Sequence, residues 1–165
     1  MRFVSPLLHL ITVLYRPFIR WGGNLQSLFL FYMRITWGHQ LAMVGWGKLH
    51  AIEQTAQFFT SLSFPNPVFL SYFVGYFELI CGICLFLGVA SRIAAIPVII
   101  VMLTALSTAH APDISNFRFL LEPKSLVHQP PYPFLITAFV ILIFGPGRLS
   151  VDGWIKRWAS KQPQY

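Results

Sequence analysis

A single carboxylate stands inside the apolar stretch Gly75–Gly88, which reads GYFELICGICLFLG. An ionisable side chain in such a segment costs about 2.5–3.5 kcal/mol on membrane-insertion scales, so it usually faces a partner inside the bundle. Glu78 therefore predicts one of two arrangements: a structural ion pair between helices, or a polar pocket that binds a head group or moves a proton. The cation that we place opposite it is Arg34, in the preceding apolar stretch.

Both apolar stretches place polar residues and glycines on the same helical face, at about 100° per residue. Glycine lets two helices approach closely, so the two faces predict the helix–helix contact that holds Arg34 and Glu78 in register. The first face consists of Arg34, Gly38, Leu41, Gly45 and Lys48, and the second of Ser71, Gly75, Glu78, Gly82, Val89 and Arg92.

Two cysteines, Cys81 and Cys84, have the spacing C-x-x-C. On a helix they lie about 60° apart, on the same side. Redox pairs with this spacing more often open a helix, where the dipole favours the thiolate, whereas these cysteines lie well inside an apolar one. We therefore predict that they pack as small hydrophobic side chains, with a redox pair as the alternative.

Histidines stand at the ends of the apolar stretches, and imidazole is a good ligand for transition metals. His50 and His110 close two of these stretches, and His128 lies between the third and the fourth. None has a tight ligand spacing such as H-x-x-x-H, so solvated histidines are favoured and a metal site at His50, His110 and His128 is the alternative. The sequence contains no phosphate-loop, Rossmann, nucleophile-elbow or zinc-protease signature and no haem, flavin or iron–sulfur pattern.

The composition indicates what kind of protein must position these residues. Of the 165 residues, 56% are hydrophobic and only 10% are charged, whereas soluble domains are about 25% charged. From this composition we predict an all-α membrane protein. The net charge of +7 is distributed in short flanks around apolar runs, as in membrane-protein loops, and this distribution argues against nucleic-acid binding.

Four apolar stretches predict a four-transmembrane-helix bundle, with spans near 28–49, 68–88, 93–109 and 132–144. The last is short, since a spanning helix needs about 20 residues, and a span that continues to Leu149 is the alternative. Residues 1–24 predict an amphipathic interfacial helix, with a poorly inserted span as the alternative. Residues 25–149 form the membrane domain and 150–165 an interfacial tail. Gly145-Pro146-Gly147 stops the last apolar helix, and Ser150 caps a short helix in the tail.

Lysine and arginine lie mainly before the first span, between the second and third, and after the fourth. By the positive-inside rule, both termini are predicted to be cytoplasmic. The segments 50–67 and 110–131 then face the outside of a bacterial inner membrane.

Several motifs, taken in order, resemble those of the DoxX family. The polar residues that match the family pattern are Arg34, Lys48, Glu78, Arg92 and His110. The family generally carries Gly, Ala or an aliphatic residue where the two cysteines stand, which argues against a shared redox role for them. The motifs are Arg34 with GWGKLH (Gly45–His50), FELICGICLFLGVASRIAA (Phe77–Ala95), STAH (Ser107–His110) and GPGRLSVD (Gly145–Asp152).

The resemblance implies a four-helix bacterial inner-membrane protein. The family takes its name from a subunit of thiosulfate:quinone oxidoreductase, and other members are linked to membrane oxidoreductase complexes and to thiol or oxidative stress. A related branch accompanies operons for modified copper-binding peptides. Fold-level analogy is a weak guide to chemistry, so each functional expectation still depends on particular residues.

We therefore expect the membrane subunit of a quinone-linked oxidoreductase or redox-stress complex; whether it has enzymatic activity of its own stays open. Glu78 and Arg34 are the candidate catalytic residues, and Lys48, His110, Gln40 and Arg92 complete the candidate quinone pocket. Quinone is the expected cofactor, a partner protein supplies electrons, and lipid surrounds the chain. The alternatives are a non-enzymatic anchor or assembly factor and a copper-homeostasis protein.

Overall fold

The computed structural model describes residues 21–109 and 127–160, and within these ranges the regular structure is entirely helical. The predicted amphipathic helix at 1–24 lies outside the described residues except for its last four, which are already helical. We label the helices α1 (residues 21–50), α2 (Ile52–Ser61), α3 (Pro67–Leu87), α4 (Ser91–Thr108), α5 (Pro131–Phe144) and α6 (Val151–Ala159).

A π-helical turn, Arg34–Gly38, interrupts α1 without breaking it. The residues on either side, Met33 and His39, keep right-handed helical dihedrals, so α1 runs continuously from residue 21 to His50. Turns of this kind occur frequently at functional sites, and this one begins at the buried Arg34.

The helix ends follow local chemistry. α3 begins with Pro67 and is capped at its other end by Gly88. Gly88 has a φ of 75°, a left-handed conformation that glycine adopts readily because it has no Cβ. α5 ends at Gly145, with φ 79°, so the predicted stop is confirmed and the helix does not continue to Leu149. Ser150 caps α6 as predicted, because its Oγ accepts a hydrogen bond from the Gly153 amide at 3.0 Å.

Four of the helices pack in a ring. α1 packs on α3, α3 on α4, and α4 on α5, while Trp37 of α1 meets Phe134 of α5 edge to face, with ring centroids 5.6 Å apart. The segment between α1 and α3, expected to be an outer loop, instead contains α2, which packs on α3 and buries Ala56. The core of the ring includes Leu41, Leu85, Ala95, Val98, Met102, Ala138 and Ile141.

Glycines bring α1 and α3 into backbone contact. A Cβ added to Gly38 would lie 2.7 Å from the Phe86 amide nitrogen, and one added to Gly82 would lie 2.8 Å from the Ala42 Cα. Both distances are far below ordinary contact, so only glycine fits. The predicted glycine faces are therefore confirmed as the contact between the two helices.

Two helices in the described part of the chain, α3 and α4, are long and apolar enough to cross a bilayer. In their most apolar windows only 33% and 39% of the residues are buried, and large apolar side chains such as Phe69 and Ile93 are exposed. A soluble core helix would be mostly covered, so this outward apolar surface is consistent with a membrane protein. α5 is apolar as well, but only 14 residues long.

Candidate functional site

An ion pair joins α1 to α3 inside the bundle. Lys48 Nζ lies 2.6 Å from Glu78 Oε1, and the two side chains are 29% and 4% exposed. The other carboxylate oxygen of Glu78, Oε2, is buried and has no hydrogen-bond partner among the described residues. Oε1 of Glu78 thus accepts from Lys48, whereas Oε2 has no donor among the described residues. A buried acceptor without a donor is costly unless another group supplies a hydrogen bond.

The glycine contact positions this pair. A Cβ on Gly45 would lie 2.7 Å from the Gly75 carbonyl oxygen and 2.9 Å from the Glu78 carbonyl carbon. Lys48 stands three residues after Gly45 on the same face of α1, so its side chain extends along α3 to the carboxylate. The close backbone approach at Gly45 therefore sets the length of the ion pair.

On its other side, α3 meets α4 at a crevice too narrow to admit a water molecule. Its walls are apolar apart from Glu78 and Cys81. Cys81 belongs to the hydrophobic core and Cys84 packs against it, and both are free thiols, so the prediction that these cysteines pack as hydrophobic side chains is confirmed. The lining residues are Phe77, Glu78, Cys81, Pro97, Val98 and Val101.

The predicted ion pair between Arg34 and Glu78 is wrong. The two helices are antiparallel, and Gly38 contacts α3 at Phe86, so Arg34 lies level with Gly88. Gly88 is ten residues beyond Glu78, a distance of about 15 Å along a helix. The two helical faces predicted from the sequence identified the contact correctly, but helical periodicity carries no information about how far one helix is shifted along the other.

Arg34 instead binds main-chain carbonyls at the end of the bundle. Its side chain is 1% exposed and donates to Leu85 O at 3.5 Å and to Leu149 O. The guanidinium carbon lies 5.9 Å from the centre of the Phe31 ring. A Cβ on Gly88 would collide with the guanidinium, so that glycine makes room for Arg34.

Asp152 completes this end of the bundle, and the sequence did not reveal its main role. Its Oδ1 accepts from the Ala90 amide at 2.8 Å, its Oδ2 accepts from the Ser91 amide at 3.0 Å, and its own amide donates to Gly88 O at 3.0 Å. It thereby caps α4 from a distant part of the chain and interacts electrostatically with Arg34. In the sequence, Asp152 stood out only as the last residue of the GPGRLSVD motif.

The remaining predicted pocket residues lie apart from the ion pair or on the surface. Arg92 stands at the start of α4, where its Nη2 donates to Ile143 O at 3.3 Å. Gln40 is exposed on α1, as is His39, whose ring centroid lies 6.3 Å from that of Phe86. Of the predicted site residues that the structure describes, which exclude His110, Lys48 and Glu78 are the two that contact each other directly.

The proposed metal ligands are only partly covered by the structure. His50 Nδ1 lies 2.9 Å from Trp46 O, and the centroids of the His50 and Trp46 rings lie 4.3 Å apart, with the ring planes tilted by 41°. His128 is exposed, and His110 lies outside the described residues. No group of three potential ligand side chains occurs within 21–109 and 127–160; because His110 is not among them, the metal site stays a prediction.

Comparison with known proteins agrees with the resemblance seen in the sequence. The profile of the DoxX family matches residues 29–111. A protein of Bacillus subtilis (strain 168), named "Putative oxidoreductase CatD", is 27% identical over 125 residues, which cover 74% of this chain and 84% of that protein. No solved structure matches.

Proposed function

The chain belongs to the DoxX family, and from this premise we propose that it is a membrane subunit of a quinone-linked oxidoreductase or redox-stress complex. The observation that carries the proposal is Glu78: a buried carboxylate with one oxygen on Lys48 and the other without a donor. A reduced quinone presents hydroxyl groups, and a carboxylate oxygen in a low-dielectric site accepts a hydroxyl hydrogen bond strongly.

Lys48 gives the site a route for protons. Its side chain is partly exposed whereas Glu78 is buried, so the pair connects an enclosed acceptor to the surface of the bundle. In this proposal a partner protein removes two electrons from a bound quinol, and its two hydroxyl protons leave one after the other through Glu78. For each one, Lys48 first gives a proton to water and its neutral amine then takes the proton held by Glu78. When the partner protein supplies two electrons to a bound quinone, the same transfers run in reverse.

The head group reaches Glu78 through the crevice between α3 and α4. That crevice does not admit a water molecule at rest, so this proposal requires α3 and α4 to separate there before a head group can enter. Phe77 at its wall is exposed and Val101 is half-buried, so the separation would open towards lipid, where quinones dissolve. In this arrangement α1, α3, α4 and α5 all cross a bacterial inner membrane, with both termini in the cytoplasm.

Arg34 positions the bundle in this proposal and does not contact the head group. Its contacts are to Leu85 O and Leu149 O, and it lies about three turns of helix from Glu78. His110, Gln40 and Arg92 stay candidates for the outer part of the pocket or for partner contacts.

Titration of a water-soluble ubiquinone or menaquinone analogue into the purified protein tests the proposal. We expect Glu78→Gln to weaken binding about 10- to 100-fold, because a hydrogen bond to a charged group contributes about 1.5–3 kcal/mol. Glu53→Gln is the matched control, since it makes the same chemical change on the exposed face of α2. Absence of binding, or equal affinity in Glu78→Gln and Glu53→Gln, contradicts a quinone site at Glu78.

A non-enzymatic anchor is the second candidate, and the Arg34–Asp152 end of the bundle favours it. There the side-chain hydrogen bonds of Arg34 and Asp152 all go to backbone groups, which is typical of a structural role. If this reading is correct, Glu78→Gln lowers thermal stability or partner retention in a mild-detergent pull-down and leaves quinone affinity unchanged.

A further inference from the structure

One helix of the described chain leaves its apolar face uncovered. No residue of α6 is buried, and Trp154 and Trp158 are 64% and 60% exposed. At about 100° per residue, these tryptophans share an arc of about 100° with Val151 and Ile155. α6 is therefore a strongly amphipathic helix without a covering partner in the part of the chain that the structure describes.

Basic side chains lie on both sides of this arc. Arg157 lies about 60° beyond Trp154 on one side of this arc, and Lys156 lies about 100° beyond Ile155 on the other. Arg92 and Arg148 are exposed at the same end of the bundle. Asp152, the acidic residue of α6, turns both of its oxygens to the α4 amides and is not available to neutralise them.

Contacts at the start of α6 fix its position along the axes of the apolar helices. The Asp152 amide bonds to Gly88 O, where α3 ends, its carboxylate caps the start of α4, and Leu149 accepts from Arg34 of α1. α6 therefore starts at the level where the apolar helices α3 and α4 meet. In a membrane protein this is the level of the head groups.

We propose that α6 lies on the bilayer surface and binds anionic phospholipid head groups through Lys156 and Arg157. Tryptophans flanked by cations fit the boundary between acyl chains and phosphates. Because α6 is bonded to Arg34 and to the α4 cap, lipid attachment also restrains this end of the bundle. The proposal rests on the membrane placement proposed above and is independent of quinone binding.

Hydrogen exchange of the full chain in nanodiscs tests the proposal, with phosphatidylcholine alone compared against phosphatidylcholine containing phosphatidylglycerol. We expect the amides of residues 151–159 to exchange more slowly in the anionic discs. One basic residue near an anionic surface strengthens attachment about fivefold, so Lys156→Gln/Arg157→Gln should reduce the added protection by roughly twentyfold. High salt should reduce it as well.

Two further variants serve as controls. Lys156→Arg/Arg157→Lys keeps both charges and should keep the protection. Arg118→Gln/Lys124→Gln removes the same two charges from the segment between α4 and α5 and should also keep it.

Equal protection of α6 in the two discs, or an equal loss in the Arg118→Gln/Lys124→Gln control, overturns the proposal. An α6 that exchanges freely in both discs also overturns it and favours a protein partner on this face. Failure of the chain to enter either disc overturns the membrane placement itself. Quinone affinity, measured on the same samples, reports separately on the proposed function.

Discussion

Replacing Gly45 by alanine tests whether close packing of α1 on α3 creates the Lys48–Glu78 site. An added Cβ at this position would collide with the Leu79 amide nitrogen and lie 2.7 Å from Gly75 O, and contact becomes ordinary only from 3.4 Å. The two helices must therefore separate by at least about 0.7 Å at this point. Gly47 stands two residues further along the same helix, and a Cβ there meets nothing within 4 Å, so Gly47→Ala is a matched control.

The energetic difference between the two variants can be worked out from these contacts. Overpacking costs about 1–3 kcal/mol. Both variants also gain about 0.5–1 kcal/mol because alanine favours a helix over glycine, and this gain cancels in the comparison. We expect Gly45→Ala to be less stable than Gly47→Ala by about 1–3 kcal/mol. A separation of about 0.7 Å also stretches the 2.6 Å ion pair beyond the usual length of a charged hydrogen bond.

Equilibrium unfolding by SDS in mixed micelles, followed by tryptophan fluorescence, measures the stability difference. Quinone-analogue affinity in the folded protein measures the effect on the site. Equal stability of Gly45→Ala and Gly47→Ala would refute the close packing. Lower stability with unchanged analogue affinity would show that the ion pair does not depend on this contact.

Three other predictions follow from the same contacts. Lys48→Met should destabilise the protein more than Glu78→Gln, by up to about 3–5 kcal/mol, since it leaves a buried carboxylate unpaired whereas Lys48 reaches the surface; the double variant should recover part of the loss in the same unfolding assay. Asp152→Ala should cost about 1 kcal/mol through loss of the α4 cap and should speed hydrogen exchange at residues 90–94. Arg34→Lys should lower stability measurably in thermal unfolding, because an ammonium cannot span the two carbonyls that the planar guanidinium binds.

The helices themselves were largely readable from the sequence. Apolar length and the punctuation by Pro67, Gly88 and Gly145 located the ends of α3 and α5 within a residue or two, because these residue types act through local backbone geometry. The cap of α6 at Ser150 was readable for the same reason. α2 (Ile52–Ser61) was not predicted because no side chain caps its start, although Ile52, Ala56 and Phe59 recur at helical spacing.

The partner of each buried charge was not readable. Helical periodicity places Arg34, Lys48 and Glu78 on facing sides of the two helices, but it leaves the axial register free. A shift of about four turns, the separation of Arg34 from Lys48, exchanges one cation for the other. The register depends on the path between α1 and α3, which includes the unpredicted α2. The cap that Asp152 provides is likewise a long-range contact, and no local pattern encodes it.

Arg34 and Glu78 are the buried charged side chains in the described part of the bundle, and they differ in the partners that their neighbours supply. Both terminal nitrogens of Arg34 donate to main-chain carbonyls, although its Nε has no partner among the described residues. Glu78 shares one oxygen with Lys48, and its other oxygen, Oε2, lacks a donor among the described residues. A buried polar atom without a hydrogen-bond partner is costly. Under the proposed function, a hydroxyl group of a reduced quinone offsets that cost at Glu78, because a hydroxyl donates to Oε2, whereas Arg34 Nε is itself a donor and lies about three turns of helix away.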